Sequence, residues 1–130
     1  MLPTENRLTK VRDFTLVMTH GTWLNGQNIT LKVFDLVKNK SYFPKKENPE
    51  TFAQQLKIAF TVGLKVSKSA VVRNRVKRQM REVIRLLLKE KRILSGYLLL
   101  FVTRPTVINK EYPAIAEEIT DLLKRAKLLT

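Results

Sequence analysis

The sequence predicts an α/β (α+β) two-layer sandwich, in which three helices pack against a mixed central sheet. Apolar residues alternate with polar ones in two segments, as in half-buried strands, and recur every three to four positions in three others, as in amphipathic helices. The alternating segments are 29–34 and 56–66, and the helical ones are 11–18, 72–87 and 115–126. With 130 residues, 44% of them hydrophobic, the chain can bury one core, so we expect residues 1–130 to form a single domain.

The first element is a short helix over about residues 10–19. Its apolar positions are Val11, Phe14, Val17 and Met18. We expect Gly21 to end the helix in the left-handed conformation, with His20 capping the last turn rather than serving as a base. Asn25 and Gly26 then predict a turn before a strand. In that strand Ile29, Leu31 and Val33 share one face, and Thr30, Lys32 and Phe34 share the other.

A loop is expected at about residues 36–55, because most of its residues are polar and it contains two prolines. We expect this loop to be exposed. Its aromatic residues Tyr42 and Phe43 are expected to pack on the surface rather than to read bases.

The segment 56–67 is the clearest strand. One face is apolar and comprises Leu56, Ile58, Phe60, Val62, Leu64 and Val66. The other face comprises Lys57, Ala59, Thr61, Gly63, Lys65 and Ser67. The small residues of this second face either leave the backbone approachable or serve the close packing of a helix, and both interpretations stay open.

A long helix within residues 69–92 carries most of the cations, with Ser69 suited to cap its start. Its apolar stripe comprises Val72, Val76, Met80, Val83, Leu86 and Leu87. The remaining arc comprises Arg73, Asn74, Lys77, Arg78, Arg81, Arg85 and Lys89, with Arg75 at its edge. Arg73, Lys77 and Arg81 recur every four residues and therefore form one line, in which guanidinium groups could bind phosphate oxygens.

Two further elements complete the fold. Residues 97–104 are nearly all apolar, which predicts a buried strand stopped by Pro105. Residues 111–129 predict a second long helix with Pro113 in its first turn. Its apolar stripe comprises Ile115, Ile119, Leu122, Leu123 and Ala126, and its carboxylates Glu117, Glu118 and Asp121 are expected on the solvent side. Strand, helix and strand from 56 to 104 form a βαβ-like unit.

The charge is unusual and concentrated. The chain has 25 Lys and Arg against 11 Asp and Glu, a formal net charge of +14, and residues 65–92 alone carry a net charge of +9. A compact chain with this charge repels itself, so we expect a polyanionic partner rather than a merely basic protein. A basic helix could also bind an anionic membrane or a peptide-binding protein. The membrane is less favoured, because the apolar stripe is needed for the fold.

Catalysis by this chain alone is not expected. The chain has no Cys and one His, which excludes disulfides and thiolate metal sites and leaves little room for His-based chemistry. We find no glycine-rich phosphate loop. No apolar run approaches the ~20 residues of a membrane span, and the N-terminus lacks the apolar core of a signal peptide. We therefore expect a cytoplasmic location.

The segment "AVVRNRVKRQMREVIR" resembles the signature of the protein subunit of bacterial ribonuclease P, whose RNR core stands here as Arg73, Asn74 and Arg75. Other motifs occur in the matching order: "NRLTKVRDF" near the N-terminus, "HGT" at 20–22, "VGLKVSK" at 62–68 and "TRP" before the last helix. The resemblance covers nearly the whole chain, apart from the loop at about 36–55.

This resemblance implies a function and a fold. Members of the family bind a large catalytic RNA and, with it, remove the 5′ leader from precursor tRNA. The RNA and its Mg²⁺ ions perform the hydrolysis, so no catalytic or metal-binding side chains are expected in this RNA-binding chain. The implied partners are the RNA subunit and precursor tRNA, with no membrane and no required protein partner. The implied fold is similar to ribosomal protein S5 domain 2, with a left-handed βαβ crossover where the general rule favours a right-handed one.

The resemblance also implies site residues. Those expected to bind the RNA subunit are Arg73, Asn74, Arg75, Lys77, Arg78 and Arg81, and those expected to line the leader path are Phe14, Met18, Lys32, Lys57, Lys65 and Lys68. Met18 and Lys32 stand where aromatic residues are common in relatives, which implies less stacking and more charge. Phe14 could instead be a core residue. The turn at 68–70 is shorter than in many relatives, which affects the direction of Arg73.

Two other classes of protein stay open. One is a ribosomal or tRNA-binding protein with no processing role, because related α/β folds occur there. The other is a structural or membrane-surface protein that uses its basic helix.

Overall fold

The computed structural model describes residues 2–43 and 49–130, and within them it contains three α-helices and four strands. In chain order these are α1 (Val11–His20), β1 (Thr22–Asn25), β2 (Ile29–Asp35), β3 (Leu56–Thr61), α2 (Ala70–Lys89), β4 (Tyr97–Thr103) and α3 (Tyr112–Arg125). The sheet order is β1-β2-β4-β3, with β3 and β4 parallel and the other two pairs antiparallel. The predicted α+β sandwich with a mixed sheet is confirmed.

Apolar clusters cover both faces of the sheet. The larger cluster lies between the sheet and the helices α2 and α3, and it includes Ile29 and Phe101 from the strands. The second cluster lies between the opposite face and α1, where Val17 packs with Phe34 and Leu100. Helices therefore lie on both faces. The two-layer description applies to the sheet with α2 and α3, and α1 adds partial cover to the other face.

The strand β4 lies between β2 and β3 and is the centre of the sheet. Its residues Leu98–Phe101 are almost completely buried, as the apolar run predicts. The parallel pair β3 and β4 is joined through α2, which confirms the βαβ connection. The left-handed sense of that crossover stays a prediction.

The N-terminal segment covers part of the outer edge of β3. Arg7 forms a parallel bridge with Ile58, and the Leu8 N–H donates to the Ile58 carbonyl at 3.1 Å. Two residues earlier in β3, the Leu56 carbonyl accepts a hydrogen bond from the Asn6 side-chain amide at 2.8 Å. These bonds occupy backbone groups that an edge strand would otherwise expose.

Two strand predictions are wrong. The strand β1 was not predicted, because most of its four residues are exposed and show no alternation. The strand β3 ends at Thr61, whereas the apolar alternation continues to Val66. Beyond Thr61 the chain turns, with the Val66 N–H donating to the Gly63 carbonyl, and Leu64 is 70% exposed. The alternation of apolar and polar residues therefore continues beyond the end of the strand, and Leu64 does not belong to the core.

The helices differ from prediction in detail. In α1 only Val17 of the predicted apolar positions is fully buried, and Val11 and Met18 are exposed. Gly21 is extended (φ −69°, ψ 150°) rather than left-handed, and its N–H donates to the Val17 carbonyl. A Cβ at Gly21 would clash with that carbonyl, so close approach explains the glycine.

In α2, Ile84 is buried in place of the predicted Leu86. In α3 the buried residues Ile115, Ile119, Leu122 and Leu123 are as predicted.

The loop at about 36–55 is not exposed throughout. Leu36 and Phe52 are buried in the second cluster, and the rings of Phe43 and Phe52 lie 4.9 Å apart between their centroids. The prediction of an exposed loop is therefore wrong for these residues. Tyr42 packs on the surface as expected, with its ring centroid 4.6 Å from that of His20. Residues 44–48 of this loop lie outside the described residues.

Both long helices end in the same motif. Lys91 after α2 and Lys127 after α3 have φ values of 55° and 60°, in the left-handed region. Two backbone hydrogen bonds close each end. After α2, the N–H groups of Lys91 and Arg92 donate to the carbonyls of Leu88 and Leu87, respectively. After α3, the N–H groups of Lys127 and Leu128 donate to the carbonyls of Lys124 and Leu123, respectively. These are Schellman motifs in which lysine occupies the position that usually holds glycine.

The segments that follow the two caps are joined. The Leu94 N–H donates to the Leu128 carbonyl and the Thr130 N–H donates to the Arg92 carbonyl, each at 2.8 Å. This short antiparallel bridge links the C-terminal ends of α2 and α3.

Candidate nucleic-acid interface

The loop between β3 and α2 leads the chain from the sheet to the basic helix. Lys65, Lys68 and Ser69 in this loop are exposed. Ser69 caps α2 as predicted, with its Oγ accepting a hydrogen bond from the Val72 N–H at 3.4 Å. The cap is long for a hydrogen bond, so the start of α2 is held mainly by its helical bonds.

Two arginines of the predicted site are bound to backbone carbonyls at the start of α2. The Arg73 Nη1 donates to the Ser67 carbonyl at 2.9 Å, and the Arg75 Nη2 donates to the Ile108 carbonyl at 3.1 Å. Each guanidinium has five N–H donors, so most remain available to phosphate oxygens. The two bonds orient the arginines relative to the loops on either side of the helix.

The other predicted RNA-subunit residues extend the charged arc along α2. Asn74, Arg75 and Arg78 are exposed, and Arg73, Lys77 and Arg81 are half-buried. In the described part of the chain, Lys77, Arg78 and Arg81 have no carboxylate partner within salt-bridge distance. These cations therefore remain available to an external anion.

The line of cations is interrupted at Arg85. Its guanidinium donates two hydrogen bonds to Glu82, at 2.9 and 2.6 Å. The hydrogen bond from Arg85 lowers the pKa of Glu82, and the same bond raises the pKa of Arg85. Arg85 is thus neutralised locally, and the predicted RNA-subunit cations Lys77, Arg78 and Arg81 all precede this pair along the helix.

Three of the predicted leader residues meet beside α1. Phe14 and Met18 are one turn apart on α1, and the Lys32 Nζ of β2 lies 3.6 Å from the Met18 Sδ. Phe14 is half-buried against the second cluster and keeps part of its ring exposed. The structure therefore brings a charged and an apolar side chain together on the face of the sheet that α1 only partly covers.

Trp23 is a further residue of this surface, and sequence reasoning did not identify it. It lies opposite Lys32 across the β1–β2 pair, so both side chains project from the same face. The Lys32 Nζ lies 5.2 Å from the centroid of the indole ring, and Trp23 is 65% exposed. Trp23 is the single Trp of the chain and could have been singled out for that reason. Its position beside Lys32, however, depends on the strand β1, which was not predicted.

The three remaining leader predictions divide between two places. Lys57 lies opposite Leu98 on β4, which places it on the same face of the sheet as Lys32. Lys65 and Lys68 lie beyond the end of β3, in the loop that leads to Arg73. The structure therefore separates Lys57 from Lys65 and Lys68, and the loop connects the sheet surface to the basic helix.

Arg104 and Glu118 hold the turn between β1 and β2. The Arg104 guanidinium donates to the Gly26 carbonyl, and Glu118 accepts hydrogen bonds from the Asn28 N–H at 2.9 Å and from its amide at 2.8 Å. The prediction that Glu118 belongs to a solvated face is therefore wrong. Because β1 ends where this turn begins, these contacts also hold the strand that carries Trp23.

Across 2–43 and 49–130, no group of three or more His, Asp or Glu converges as a metal site. In the same ranges no helix combines the length and hydrophobicity needed to cross a membrane.

Comparisons with known proteins agree on one family. A family model described as Ribonuclease P matches residues 2–127. A ribonuclease P protein component from a Cyanothece species is 33% identical over 130 residues, covering 99% of this chain and 98% of the relative. One from a Pseudanabaena species is 36% identical over 131 residues, covering 99% and 97%.

Solved structures show the same fold. The ribonuclease P protein from Staphylococcus aureus gives a TM-score of 0.72 at 19% identity and covers all of this chain and 96% of that one. The protein from Thermotoga maritima gives a TM-score of 0.68 at 21% identity and covers 92% of this chain and 96% of that one.

Proposed function

The chain belongs to the ribonuclease P protein family, and from this premise we propose that it is the protein component of a ribonuclease P. In this function it binds a catalytic RNA and the 5′ leader of precursor tRNA, and it assists removal of the leader. A cytoplasmic location, where precursor tRNA is processed in bacteria, is part of the same proposal.

The observation that carries the proposal is the row of cations on α2 that no carboxylate opposes before Glu82. We assign this surface to phosphates of the RNA subunit, through Arg73, Asn74, Arg75, Lys77, Arg78 and Arg81. Guanidinium forks suit phosphate oxygens, and a helix holds them at fixed spacing.

The sheet face beside α1 is assigned to the leader. Its residues are Phe14, Met18, Trp23, Lys32 and Lys57, with Lys65 and Lys68 along the loop toward α2. A single strand binds to such a surface by stacking its bases on exposed rings and placing its phosphates near cations. Trp23 with Lys32 beside it offers one ring and one cation for these two contacts.

The chemistry is assigned to the RNA and its Mg²⁺ ions, which the RNA rather than this chain is proposed to hold. Bound Mg²⁺ would supply an activated hydroxide and stabilise developing charge on phosphate oxygens. This chain contributes affinity and orientation, because its cations reduce repulsion between two RNA molecules.

Reconstitution with the cognate catalytic RNA at low Mg²⁺ is the direct test. We expect the chain to restore cleavage at the mature 5′ end of precursor tRNA, and an unrelated protein of equal net charge to restore none. Binding of tRNA without restored cleavage would favour a ribosomal or tRNA-binding protein. Binding to anionic liposomes but not to RNA would favour the membrane-surface alternative.

The leader assignment has a separate test. Trp23→Ala should weaken binding of a precursor with a long leader about tenfold, since one stacked base is worth ~1–3 kcal/mol. Binding of a precursor with a single-nucleotide leader should not change. Trp23→Phe should retain most of the affinity, and Tyr42→Ala serves as a control at another exposed aromatic residue. Equal losses with both leaders would contradict the assignment.

A further inference from the structure

A small hollow lies between the N-terminal segment, the edge of β3 and the basic helix α2. It has a volume of about 220 Å³ and is lined by Leu2, Arg7, Ile58, Phe60 and Arg81. Pockets for drug-sized ligands usually measure about 300–1,000 Å³, so this hollow has room for a single ring system rather than a larger ligand. None of the predicted site residues except Arg81 contacts it.

The hollow combines an apolar floor with two guanidinium groups. Leu2 and Ile58 are buried core residues, and Phe60 stacks on Phe101 with 5.6 Å between ring centroids. Arg7 and Arg81 are the polar lining residues. An apolar cavity with two cations suits a planar ring that carries a negative charge on one side.

Neither arginine of the hollow is paired with a carboxylate among the described residues. The Arg7 Nε donates to the Leu2 carbonyl at 2.9 Å, which fixes the side chain against the wall of the hollow but does not neutralise it. Across 2–43 and 49–130, neither Arg7 nor Arg81 forms a salt bridge. Both guanidinium groups are therefore available to an anion from outside this part of the chain.

The position of the hollow indicates which RNA would supply that anion. Arg81 follows Arg73 and Lys77 in the row on α2 and is the last cation of that row before the Glu82–Arg85 pair. An RNA backbone that follows this row therefore reaches the hollow. Proteins recognise unpaired nucleotides in RNA loops and bulges by stacking the extruded base on aromatic rings or guanidinium planes.

We propose that the hollow holds one extruded, unpaired nucleotide of the RNA subunit, with its base between the apolar floor and the guanidinium groups and its phosphate bound by Arg7 and Arg81. This inference rests on the proposed function, because it requires the catalytic RNA as the partner. It adds a base-binding site to a surface otherwise assigned to phosphates alone. Arg7 therefore becomes an RNA-binding residue outside the signature helix.

Nucleotide-resolution probing of base reactivity with a methylating reagent tests the proposal on the full chain assembled with its catalytic RNA. With the unaltered protein, one unpaired nucleotide of the RNA subunit should be protected at its base. Arg7→Ala should restore its reactivity and weaken RNA-subunit binding about tenfold, as for loss of one stacked base. The other protected positions should not change. Lys10→Ala, which removes an equal charge three residues away, should leave that nucleotide protected.

A second variant separates base binding from loosening of the N-terminal segment. Leu2→Phe adds bulk to the wall of the hollow and leaves both arginines in place, so it should expose the same nucleotide as Arg7→Ala. Thermal unfolding of both variants reports whether the segment stays folded.

The possible outcomes distinguish this proposal from the proposed function. If the protein binds the RNA and restores cleavage, but no nucleotide depends on Arg7 more than on Lys10, the hollow does not hold a base. A dependent nucleotide found only when precursor tRNA is added would assign the site to the substrate and overturn the proposal. If the unaltered protein fails to bind the catalytic RNA, the proposed function fails and this inference fails with it.

Discussion

At its N-terminal end, α2 begins after an exposed loop and has one long side-chain cap from Ser69. At its C-terminal end it is closed by a Schellman motif, and the chain beyond that motif is hydrogen-bonded to the segment after α3. A helix of 20 residues separates these two ends by about 30 Å. The first end joins the sheet surface to the basic row, whereas the second joins two helices to each other.

Both ends are cationic, so charge alone does not distinguish them. Lys89, Lys91 and Arg92 lie at the C-terminal end, where positive charge complements the helix dipole. At the N-terminal end cations oppose the dipole and gain nothing from it. Their presence there supports the proposal that an external anion binds at this end of α2.

The largest expected effect tests the difference between the ends. Arg73→Ala with Arg75→Ala should weaken binding to the RNA subunit at least ~100-fold, because hydrogen bonds to charged groups contribute about 1.5–3 kcal/mol each. Lys91→Gly with Lys127→Gly removes the same charge from the joined C-terminal ends of α2 and α3 and should change the affinity less than about threefold. Dissociation constants at one salt concentration measure both. Equal losses in the two double variants would show that only total charge matters.

The free energy of unfolding should depend on the bridge that joins the C-terminal ends of α2 and α3. Leu128 is 1% exposed and supplies a carbonyl to the bridge between the helix ends. Leu128→Ala should lower the free energy of unfolding by about 2–5 kcal/mol, measured by urea denaturation. Leu94→Ala, at an exposed position of the same bridge, should cost much less. Similar costs for the two would mean that Leu128 contributes little packing.

A smaller effect is expected from the left-handed lysines. Lys91→Gly and Lys127→Gly should each raise the free energy of unfolding by about 0.5–1 kcal/mol, because glycine adopts positive φ without steric cost. The matched control is Lys89→Gly at the last helical residue of α2, where the backbone is helical and glycine should lower stability by up to about 1 kcal/mol. Stabilisation by all three, or by none, would contradict this explanation of the caps.

The smallest effect concerns the pair in the middle of the helix. Glu82→Gln releases Arg85 and extends the unopposed row by one cation, so RNA binding should strengthen by a few-fold at low salt. Because Arg85 lowers the pKa of Glu82, the pair contributes stability above the ordinary carboxyl pKa and loses it as the pH falls through the lowered value. Both side chains are substantially exposed, so this contribution is small, and Glu82→Gln should shift the unfolding curve at neutral pH only slightly. Weaker RNA binding by Glu82→Gln would contradict the proposal that cations of α2 without a carboxylate partner bind RNA phosphates.

The sequence predicted well those features that depend on local periodicity. The buried residues of α3, the cap at Ser69 and the apolar run of β4 follow from spacing of three to four residues or from continuous hydrophobicity. The periodic signal failed at Leu64, because alternation says nothing about where hydrogen-bonded pairing ends. The periodic signal also failed at β1, because a four-residue strand that is mostly exposed shows no alternation of apolar and polar residues.

Features of the site that depend on long-range contacts could not be predicted. Trp23 gains its neighbour Lys32 through strand pairing, Glu118 meets Asn28 from 90 residues away, and Arg75 reaches the Ile108 carbonyl. None of these partners is encoded in local spacing. Helical spacing alone predicts that Arg73, Lys77 and Arg81 form one line, and these residues do lie within the single helix α2. The assignment of the wider row to the RNA subunit rests on the family resemblance and stays a prediction.

The central position of β4 has a consequence for the order in which the protein can fold during synthesis. The strands β2 and β3 both pair with β4, which is made after them. The start of β4 follows the end of β2 by roughly 60 residues, which takes about 3–12 s at typical synthesis rates of ~5–20 residues per second. During that interval β1 and β2 can pair with each other, whereas β3 has no neighbouring strand in the sheet until β4 is made. The four-stranded sheet can therefore be completed only after β4 has been synthesised.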